Sequence, residues 1–438
     1  METAFNPIAA RIAEGDVAAP RGEQERRVDE SCESKQDQAG MATGLNLEPG
    51  SDDDGWTVPS PVTLADGTQV QLYKDGEALH AAYEAIRSAK QRICLESYIF
   101  ADDQTGHAFA ELLAAKARKG VGVHVVYDSF GSLGPLGKPK PMFDVMRRAG
   151  VKLQEFHPMR PWECRFSWRP VNRDHRKLLV IDHDRAGLGG INVGAEYAGS
   201  WVVQSERRDC DLWRDNAVGI RGPGARLLLR AFAKTWHYVN NGGRISSAEL
   251  HHPVHDSEDS LGILASVPTL NSPLRPLLHQ LLRGARKSIQ LTMAYFAPDD
   301  PLIAQLCRAA RRGVRVQLML PAVGDVKLLI LAARSFYEVL LAAGVEVYER
   351  QSVVLHAKTI VVDEELSVVG STNLDYRSIE YNLEIGATIR SRAFGAQMAA
   401  MFANDVKFAR RITAKEWRRR PWVDRAVQWG VSRARYLL

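Results

Sequence analysis

The sequence predicts an α/β protein in which one domain occurs twice, each copy being a mixed β-sheet flanked by helices. Apolar residues at helical spacing alternate along the chain with short β-branched runs, a pattern typical of sheets covered by helices. Segments of the first half recur in the second: Ile93–Phe100 is similar to Ile289–Phe296, and Ala149–Val151 is similar to Ala343–Val345. A duplicated domain explains both observations, and it predicts two halves related by a pseudo-two-fold axis.

Helices and strands of the first copy can be assigned in order from Trp56 onwards. The predicted helices are Leu79–Lys90, His107–Lys119 and Met142–Ala149, and the predicted strands are Arg92–Phe100, Val121–Asp128 and Val151–Phe156. We predict four regions: a disordered acidic leader (1–56), a first domain (57–248), a second domain (249–412) and a basic, aromatic, amphipathic tail (413–438).

Charge is distributed unevenly along the 438 residues. The whole chain has a net charge of +5, but residues 1–56 contain 13 Asp and Glu against 5 Lys and Arg. Residues 406–438 contain 10 Lys and Arg against 2 Asp and Glu. A basic body with a basic tail favours an anionic partner, either lipid headgroups or nucleic acid.

Cysteine usage and hydropathy exclude several classes of protein. The five cysteines are scattered and include no Cys-x-x-Cys pair, which argues against a disulfide framework and against a zinc site, and fits a reducing compartment. The histidines of 251–256 match no metal-ligand spacing. No apolar run approaches the ~18 residues of a membrane span, and the N-terminus lacks the pattern of a secretory signal.

One spaced motif occurs once in each half. The first copy is His175, Lys177, Asp182, Gly189 and Asn192, and the second copy is His356, Lys358, Asp363, Gly370 and Asn373. In both copies the Lys follows the His by 2 positions, the Asp by 7 and the Asn by 17. Because side chains alternate along a strand, each His and its Lys face the same way.

Two such half-sites facing each other would surround one phosphodiester. One neutral His can attack phosphorus, while the other His, protonated, donates to the leaving alcohol. We expect Lys177 and Lys358 to stabilise the phosphoryl charge, and we expect the phosphate to be bound by Asn192, Asn373 and Ser371. This chemistry needs neither a metal nor a cofactor, and we predict none.

The carboxylates of the site allow two interpretations. Asp182 and Asp363 belong to the motif and are counted with its catalytic residues, yet their odd offset from His places them on the opposite face of a continuous strand, which predicts a structural role. Each His also needs a partner for its second ring nitrogen. Asp211–Ile220 aligns with Glu380–Ile389, which makes Asp215 equivalent to Glu384. We predict that Asp215 orients His175 and that Glu384 orients His356.

These motifs identify the chain as a member of the phospholipase D superfamily, and it is most similar to the bacterial cardiolipin synthases. Further matches lie at Asn172–Lys177, Trp213–Asp215, Arg334–Tyr337 and Asn373–Ser378. The resemblance implies two tandem phospholipase D-like domains with the active site between them. It also implies a phosphohistidine on His175 with His356 as the acid and base, a choice that the residues alone leave open.

The resemblance implies a phosphatidyltransferase that makes cardiolipin from phosphatidylglycerol and a second phospholipid. A hydrolytic phospholipase D and a phosphodiesterase nuclease are the alternatives, since a basic body would also suit a polyanion. The implied partner is an anionic phospholipid membrane at the cytoplasmic side of a bacterial cell, contacted peripherally. We expect no obligatory protein partner and no nucleic acid.

The tail has its own pattern. Trp422, Ala426, Trp429, Arg433 and Tyr436 recur at helical spacing, so aromatic rings and arginines share one face. Such a face suits a membrane interface with anionic lipid, and it also suits a helix docked on its own domain.

Overall fold

A computed structural model describes residues 55–134, 137–138, 140–160, 162–163, 172–199, 213–242, 257–266 and 274–434. These residues all belong to one compact unit that spans 46–438. The predicted leader and the histidines of 251–256 lie outside the described residues, so the predicted domain bounds stay a prediction. No helix among the described ranges combines the length and hydrophobicity needed to cross a bilayer.

The first half folds around one mixed sheet. Its strands are β1 (Val62–Thr63), β2 (Gln69–Lys74), β3 (Arg92–Ser97), β4 (Gly122–Asp128), β5 (Lys152–Phe156), β6 (Lys177–Ile181), β7 (Arg185–Gly189) and β9 (Asn216–Arg221), while β8 (Trp213–Arg214) joins the second sheet. Its helices are α1 (Gly76–Ser88), α2 (Gln104–Arg118), α3 (Ser129–Leu133), α4 (Pro141–Arg148) and α5 (Ala225–Asn240). The strand order is β1-β2-β9-β7-β6-β3-β4-β5, with β3, β4 and β5 parallel. The predicted helices and strands are confirmed to within a few residues.

The second half repeats this arrangement. Its strands are β10 (Ser260–Ser266), β11 (Ser288–Met293), β12 (Arg315–Val323), β13 (Glu346–Leu355), β14 (Lys358–Val362), β15 (Leu366–Gly370), β16 (Glu384–Arg390) and β17 (Ala409–Ile412). Its helices are α6 (Leu274–Gly284), α7 (Asp300–Arg311), α8 (Lys327–Ser335), α9 (Tyr337–Ala342), α10 (Tyr376–Glu380), α11 (Arg392–Val406), α12 (Ala414–Arg418) and α13 (Trp422–Ala434). In the order β10-β16-β15-β14-β11-β12-β13-β17, the seven strands from β10 to β13 correspond one by one to β2-β9-β7-β6-β3-β4-β5 of the first sheet, while β1 and β17 are additional edge strands. This correspondence confirms the tandem fold.

A shared hydrophobic core joins the two sheets. Leu178 and Val180 of β6 belong to the same buried cluster as Val361, Val369 and Ile385 of the second sheet. The other two apolar residues of β6, Leu179 and Ile181, face the helices of the first half. A strand buried on both faces reads as a continuous apolar run, which explains the sequence that follows Lys177.

Short pairings also cross between the halves, directly beside the motif histidines. In β8, Trp213 and Arg214 pair with Val354 and Leu355 at the end of β13. In the opposite direction, Asp174 bridges to Leu383. Each half therefore places a short segment against the residues that precede the histidine of the other half.

Candidate active site

The two His-Lys pairs of the motif are buried at the sheet ends where the halves meet. Lys177 begins β6 and donates to the carbonyl of His175 over 2.7 Å, and Lys358 begins β14 and donates to the carbonyl of His356. The His175 residue is 8 % exposed and the His356 residue 4 %. Each ammonium acts electrostatically on both imidazoles, so the four side chains form one site.

Each histidine is held by a carboxylate from the other half. Nδ1 of His175 lies 3.1 Å and 3.2 Å from the two carboxylate oxygens of Glu384. Nδ1 of His356 lies 2.7 Å from Oδ2 of Asp215. The predicted pairing of Asp215 with His175 and of Glu384 with His356 is therefore wrong, although both carboxylates do serve the histidines.

The crossing of the chain explains this exchange of partners. The backbone N–H of His175 donates to the carbonyl of Leu383 over 2.9 Å, and that of His356 donates to the carbonyl of Arg214 over 2.8 Å. Leu383 directly precedes Glu384, just as Arg214 precedes Asp215. Each carboxylate thus directly follows a residue whose carbonyl is hydrogen-bonded to the backbone of the histidine in the other half.

The two carboxylates are fixed in different ways. The hydroxyl of Ser371 donates to Glu384 and accepts from the backbone N–H of Ile385 over 3.0 Å. Ser371 is fully buried and positions Glu384, so its predicted role as a phosphate ligand is wrong. At the equivalent position of the first half, a Cβ on Gly190 would lie 2.2 Å from a carboxylate oxygen of Asp215, so only glycine fits there.

The motif asparagines brace the strand ends. Oδ1 of Asn192 accepts from the backbone N–H of Ile99 over 3.1 Å, and its amide group donates to the hydroxyl of Tyr197 over 2.7 Å. Oδ1 of Asn373 accepts from the backbone N–H of Tyr295 over 3.3 Å. Their role as donors to a phosphate stays a prediction, and for Asn192 it requires exchange of the bond to Tyr197.

The motif aspartates end their strands and face away from the histidines. Asp182 has a positive φ of 53° and accepts from the backbone N–H groups of Lys90, Gln91 and Arg92, at 2.7 Å for Gln91. Asp363 has a positive φ of 55° and accepts in the same way from the backbone N–H groups of Arg286, Lys287 and Ser288. Partial burial acts to raise the pKa of Asp182, but these backbone bonds hold it below its usual value. The structural role is confirmed, and the inclusion of both aspartates in the catalytic set is wrong.

Asp182→Ala is expected to destabilise the fold without a comparable loss of turnover. The variant loses the backbone bonds at the start of β3 and places Ala in a left-handed conformation, which together should lower the free energy of unfolding by about 2 to 4 kcal/mol. Urea denaturation and turnover should be measured in parallel. Asp184→Ala, in the same turn but with an exposed side chain, is the control and should leave stability nearly unchanged. A stable but inactive Asp182→Ala protein would contradict the structural role.

Burial sets the protonation of the site. It raises the pKa of Asp215 to about 6 and that of Glu384 to about 7, and it lowers the pKa of Lys177 to about 7 and that of Lys358 to about 8. Burial and the two ammonium groups lower the pKa of His175 and His356 well below the usual value. Neutral imidazoles are thus favoured in the free site, as an attacking histidine requires.

These pKa values predict that oxyanions bind more weakly as the pH rises. The lysines lose their protons through about pH 7 to 8, and the carboxyl groups gain negative charge through about pH 6 to 7. Both changes weaken the attraction for an anion, so the Kd for tungstate should rise at least about tenfold between pH 6 and pH 9. Calorimetric titration of the wild type and of Lys177→Met checks this. The variant should bind weakly with a flatter pH profile, and an unchanged wild-type Kd would contradict the cationic site.

Aromatic rings surround the histidines, and the sequence reasoning did not assign them a place in the site. The ring of Tyr98 lies 5.0 Å from that of His175, and the ammonium of Lys177 lies 5.1 Å from the centroid of the Tyr98 ring. The rings of Trp213 and Tyr295 lie 5.0 Å and 6.5 Å from that of His356. In the repeated strand segments Tyr98 aligns with Ala294 and Tyr295 aligns with Ile99, so the repeat gives no signal for either tyrosine.

Two buried arginines, also unassigned from the sequence, join the halves next to the carboxylates. The guanidinium of Arg176 donates to the carbonyl of Glu384 over 3.2 Å and to the carbonyl of Ser266 over 2.7 Å. The guanidinium of Arg214 forms two bonds of 2.8 Å with the carboxylate of Asp405. The equivalent residues of the other half are Ala357 and Leu383, so the internal repeat gives no signal for either arginine.

Comparison with known proteins decides the family. Residues 83–203 and 278–406 match the family described as "Cardiolipin synthase, PLD-like domain". The chain belongs to this family. A cardiolipin synthase of Geobacillus sp. (strain WCH70) is 33 % identical over 380 residues, which cover 85 % of this chain and 72 % of the relative. Cardiolipin synthase A of Pseudomonas entomophila (strain L48) is 34 % identical over 353 residues, covering 80 % and 71 %.

Solved structures share the fold of this family member. The phosphatidylserine synthase of Haemophilus influenzae Rd KW20 superimposes with a TM-score of 0.62 at 14 % identity, covering 87 % of this chain and 97 % of the other. The polyphosphate kinase of Porphyromonas gingivalis superimposes with a TM-score of 0.52 at 15 % identity, covering 82 % and 53 %. At these identities the similarity concerns the fold alone.

Proposed function

We propose that the protein is a phosphatidyltransferase that makes cardiolipin from phosphatidylglycerol and a second phospholipid. The observation that carries the proposal is one buried site of two His-Lys pairs, in which each histidine is oriented by a carboxylate from the other half. The membership in the cardiolipin synthase family supports the lipid substrate.

In the first step, one histidine attacks the phosphorus of the donor lipid. The resemblance assigns this role to His175: Glu384 holds its Nδ1–H, which leaves the lone pair of Nε2 free for attack. A P–N bond forms and the P–O bond to the leaving alcohol breaks. His356 is neutral in the free site and takes up a proton beside the anionic phosphate; paired with Asp215, it then donates this proton to the leaving oxygen. Lys177 and Lys358 offset the charge on the phosphoryl oxygens.

In the second step, His356 accepts the proton of an acceptor hydroxyl from phosphatidylglycerol. The hydroxyl oxygen attacks phosphorus, the P–N bond breaks, and His175 is restored. The low exposure of both histidines and the surrounding aromatic rings restrict the access of water to the intermediate. This arrangement favours transfer to an alcohol over hydrolysis.

The membrane contact that we propose lies on α13 and the region around α8. α13 packs on α8, with Val431 against the small cluster of Ala297, Leu329 and Ala332. The large apolar side chains that remain exposed there are Val323, Val326, Leu328, Trp422, Val423, Val427 and Trp429. Both interpretations of the tail thus have support: the helix docks on its own domain and presents tryptophans outwards. Tyr436 of the predicted face lies outside the described residues.

A cation beside an exposed tryptophan supports a peripheral contact with anionic lipid, and we propose that this contact lies at the cytoplasmic side of a bacterial membrane. The Arg433 guanidinium lies 5.3 Å from the ring of Trp429, which is 64 % exposed. Aromatic rings beside cations are typical of interfacial helices. Because Tyr295 packs against the same small cluster and lies beside His356, the proposed membrane face is close to the active site.

Removal of the exposed tryptophans tests the membrane contact. Trp422→Ser/Trp429→Ser should weaken binding to phosphatidylglycerol vesicles at least about tenfold, since two large apolar side chains lose their burial in the interface. Vesicle sedimentation measures the partition. Trp162→Ser, at another exposed tryptophan, is the control. Equal binding by all three proteins would show that α13 does not contact the membrane.

Incubation of the purified protein with phosphatidylglycerol vesicles tests the proposed function. Separation of the lipids should give cardiolipin and free glycerol. Phosphatidic acid without cardiolipin would indicate a hydrolase, and unchanged lipid together with cleavage of DNA would indicate a nuclease. Addition of phosphatidylethanolamine identifies the donor, because its use would release ethanolamine instead of glycerol.

A further inference from the structure

A large apolar cavity lies in the first half, between α1 and the sheet. Its volume is about 630 Å³, within the range of roughly 300–1,000 Å³ that is usual for ligand pockets. Part of the wall is built from small residues. Those on α1 are Ala78, Ala81, Ala82 and Ala85, and those on the sheet are Gly187, Gly189, Ala217 and Gly219.

In the second half, larger side chains fill the equivalent space between helix and sheet. There α6 covers β14, β15 and β16, and the remaining cavity has only about 30 Å³. In the repeat, the four alanines of α1 align with Leu274, Leu277, Leu278 and Leu281 of α6, and Gly187 aligns with Val368. Every one of these larger residues lines the small cavity of the second half. The space in the first half therefore results from particular residues and not from the fold.

An unfilled apolar cavity of this size destabilises a protein, because its walls lose their packing contacts. A ligand that occupies it regains those contacts. The internal repeat shows that the fold accepts larger residues at the equivalent positions. The first half has small residues at these positions and the second half does not. This difference points to a bound molecule, and not to the protein's own side chains, as the occupant of the space.

The ends of the cavity indicate the chemistry of this occupant. Lys177 lines one end, at the start of β6, and its ammonium belongs to the catalytic site. Arg185 and Arg221 line the opposite end of the strands, where Arg221 is exposed. A helix of the length of α1 spans roughly 20 Å, so the space between the two ends suits an extended hydrocarbon chain. An apolar chain attached to a phosphate would satisfy both the walls and Lys177.

We propose that this cavity binds one acyl chain of the phospholipid whose phosphate lies between His175 and His356. The proposal rests on the proposed function and adds to it a binding site on one half only. The two halves of the active site are then unequal towards lipid: the first holds an acyl chain, and the second, filled by leucines, does not.

Filling the cavity tests the proposal. Ala82→Leu/Gly187→Val installs the residues of the second half; a Cβ at Gly187 would meet only the carbonyl oxygen of Val218, at the ordinary distance of 3.5 Å. The control is Gly122→Val in β4, where a Cβ also has its nearest contact at 3.5 Å and which does not line the cavity. The kcat/KM for dioleoyl phosphatidylglycerol should fall at least about tenfold in the filled variant, with dihexanoyl phosphatidylglycerol turned over as by the wild type.

Retained turnover of the short-chain lipid shows that the filled variant is folded and catalytically competent. Gly122→Val should match the wild type with both lipids. Equal rates of the filled variant and the wild type with dioleoyl phosphatidylglycerol would overturn the proposal, and so would an equal loss with both lipids.

A binding measurement separates this proposal from the proposed function. A phosphatidylglycerol with a photoreactive group at the end of one acyl chain should label the peptide of α1 in the wild type and not in the filled variant. If the label appears in α1 while no cardiolipin forms, the cavity proposal stands and the transferase fails. If cardiolipin forms while the label does not reach α1, the cavity proposal fails and the transferase stands.

Discussion

His175→Asn and His356→Asn are each expected to lower the turnover of phosphatidylglycerol about a thousandfold or more. One histidine forms the covalent bond to phosphorus and the other transfers the proton, so neither can replace the other. Asparagine preserves polarity and approximate volume. Cardiolipin formation from labelled phosphatidylglycerol measures the loss.

The double variant His175→Asn/His356→Asn distinguishes one shared site from two separate sites. Residues that act as a unit are not additive, so the double variant should be little slower than either single variant. Two independent half-sites would instead leave each single variant with roughly half of the wild-type rate. A single variant that keeps roughly half of the wild-type rate would contradict the shared site.

Glu384→Gln and Asp215→Asn are expected to lower turnover by about 10²- to 10⁴-fold. Both substitutions keep the size of the side chain but remove the charge that fixes the Nδ1 proton of a histidine and stabilises its protonated form. Steady-state rates check the size of the loss, and thermal melting checks that the variants are folded. A rate close to that of the wild type in either variant would remove that carboxylate from the mechanism.

Nuclear magnetic resonance of the imidazole groups tests which carboxylate serves which histidine. Glu384→Gln should shift the ring nitrogen resonances of His175 with little change at His356, and Asp215→Asn should do the reverse. The signals can be assigned with the histidine variants. The opposite pattern would restore the pairing within each half that the sequence alignment suggested.

The repeat is the reason that much of the fold could be predicted. Seven strands of the first sheet have counterparts in the second, so weak local patterns support one another. The alternation of side chains along a strand also places His175 beside Lys177, and it separates Asp182 from both, as the structure confirms. These relations depend only on residues close in sequence.

The partners of the histidines could not be predicted, because they depend on how the chain crosses between the halves. The alignment makes Asp215 equivalent to Glu384, but equivalence does not say which histidine either one contacts. The answer comes from β8, which pairs with β13, and from the bridge between Asp174 and Leu383. Pairings between residues so distant in sequence leave no local pattern.

Ser371 shows the same limit at shorter range. Its place two residues before Asn373 suggests a phosphate ligand, but the turn directs its hydroxyl to Glu384. The equivalent Gly190 has no hydroxyl, and it makes room for Asp215 instead. The repeat thus conserves the position of the carboxylate while the two halves support it differently.

The most direct test of one site with two distinct histidines uses an activated phosphodiester, bis(p-nitrophenyl) phosphate. Nitrophenolate leaves without help from an acid, so His356→Asn should release one nitrophenolate per chain in a burst and retain a phosphoryl group on His175. His175→Asn should release none and retain none. A burst in both single variants, or two phosphoryl groups per chain, would contradict a single site shared by the two halves.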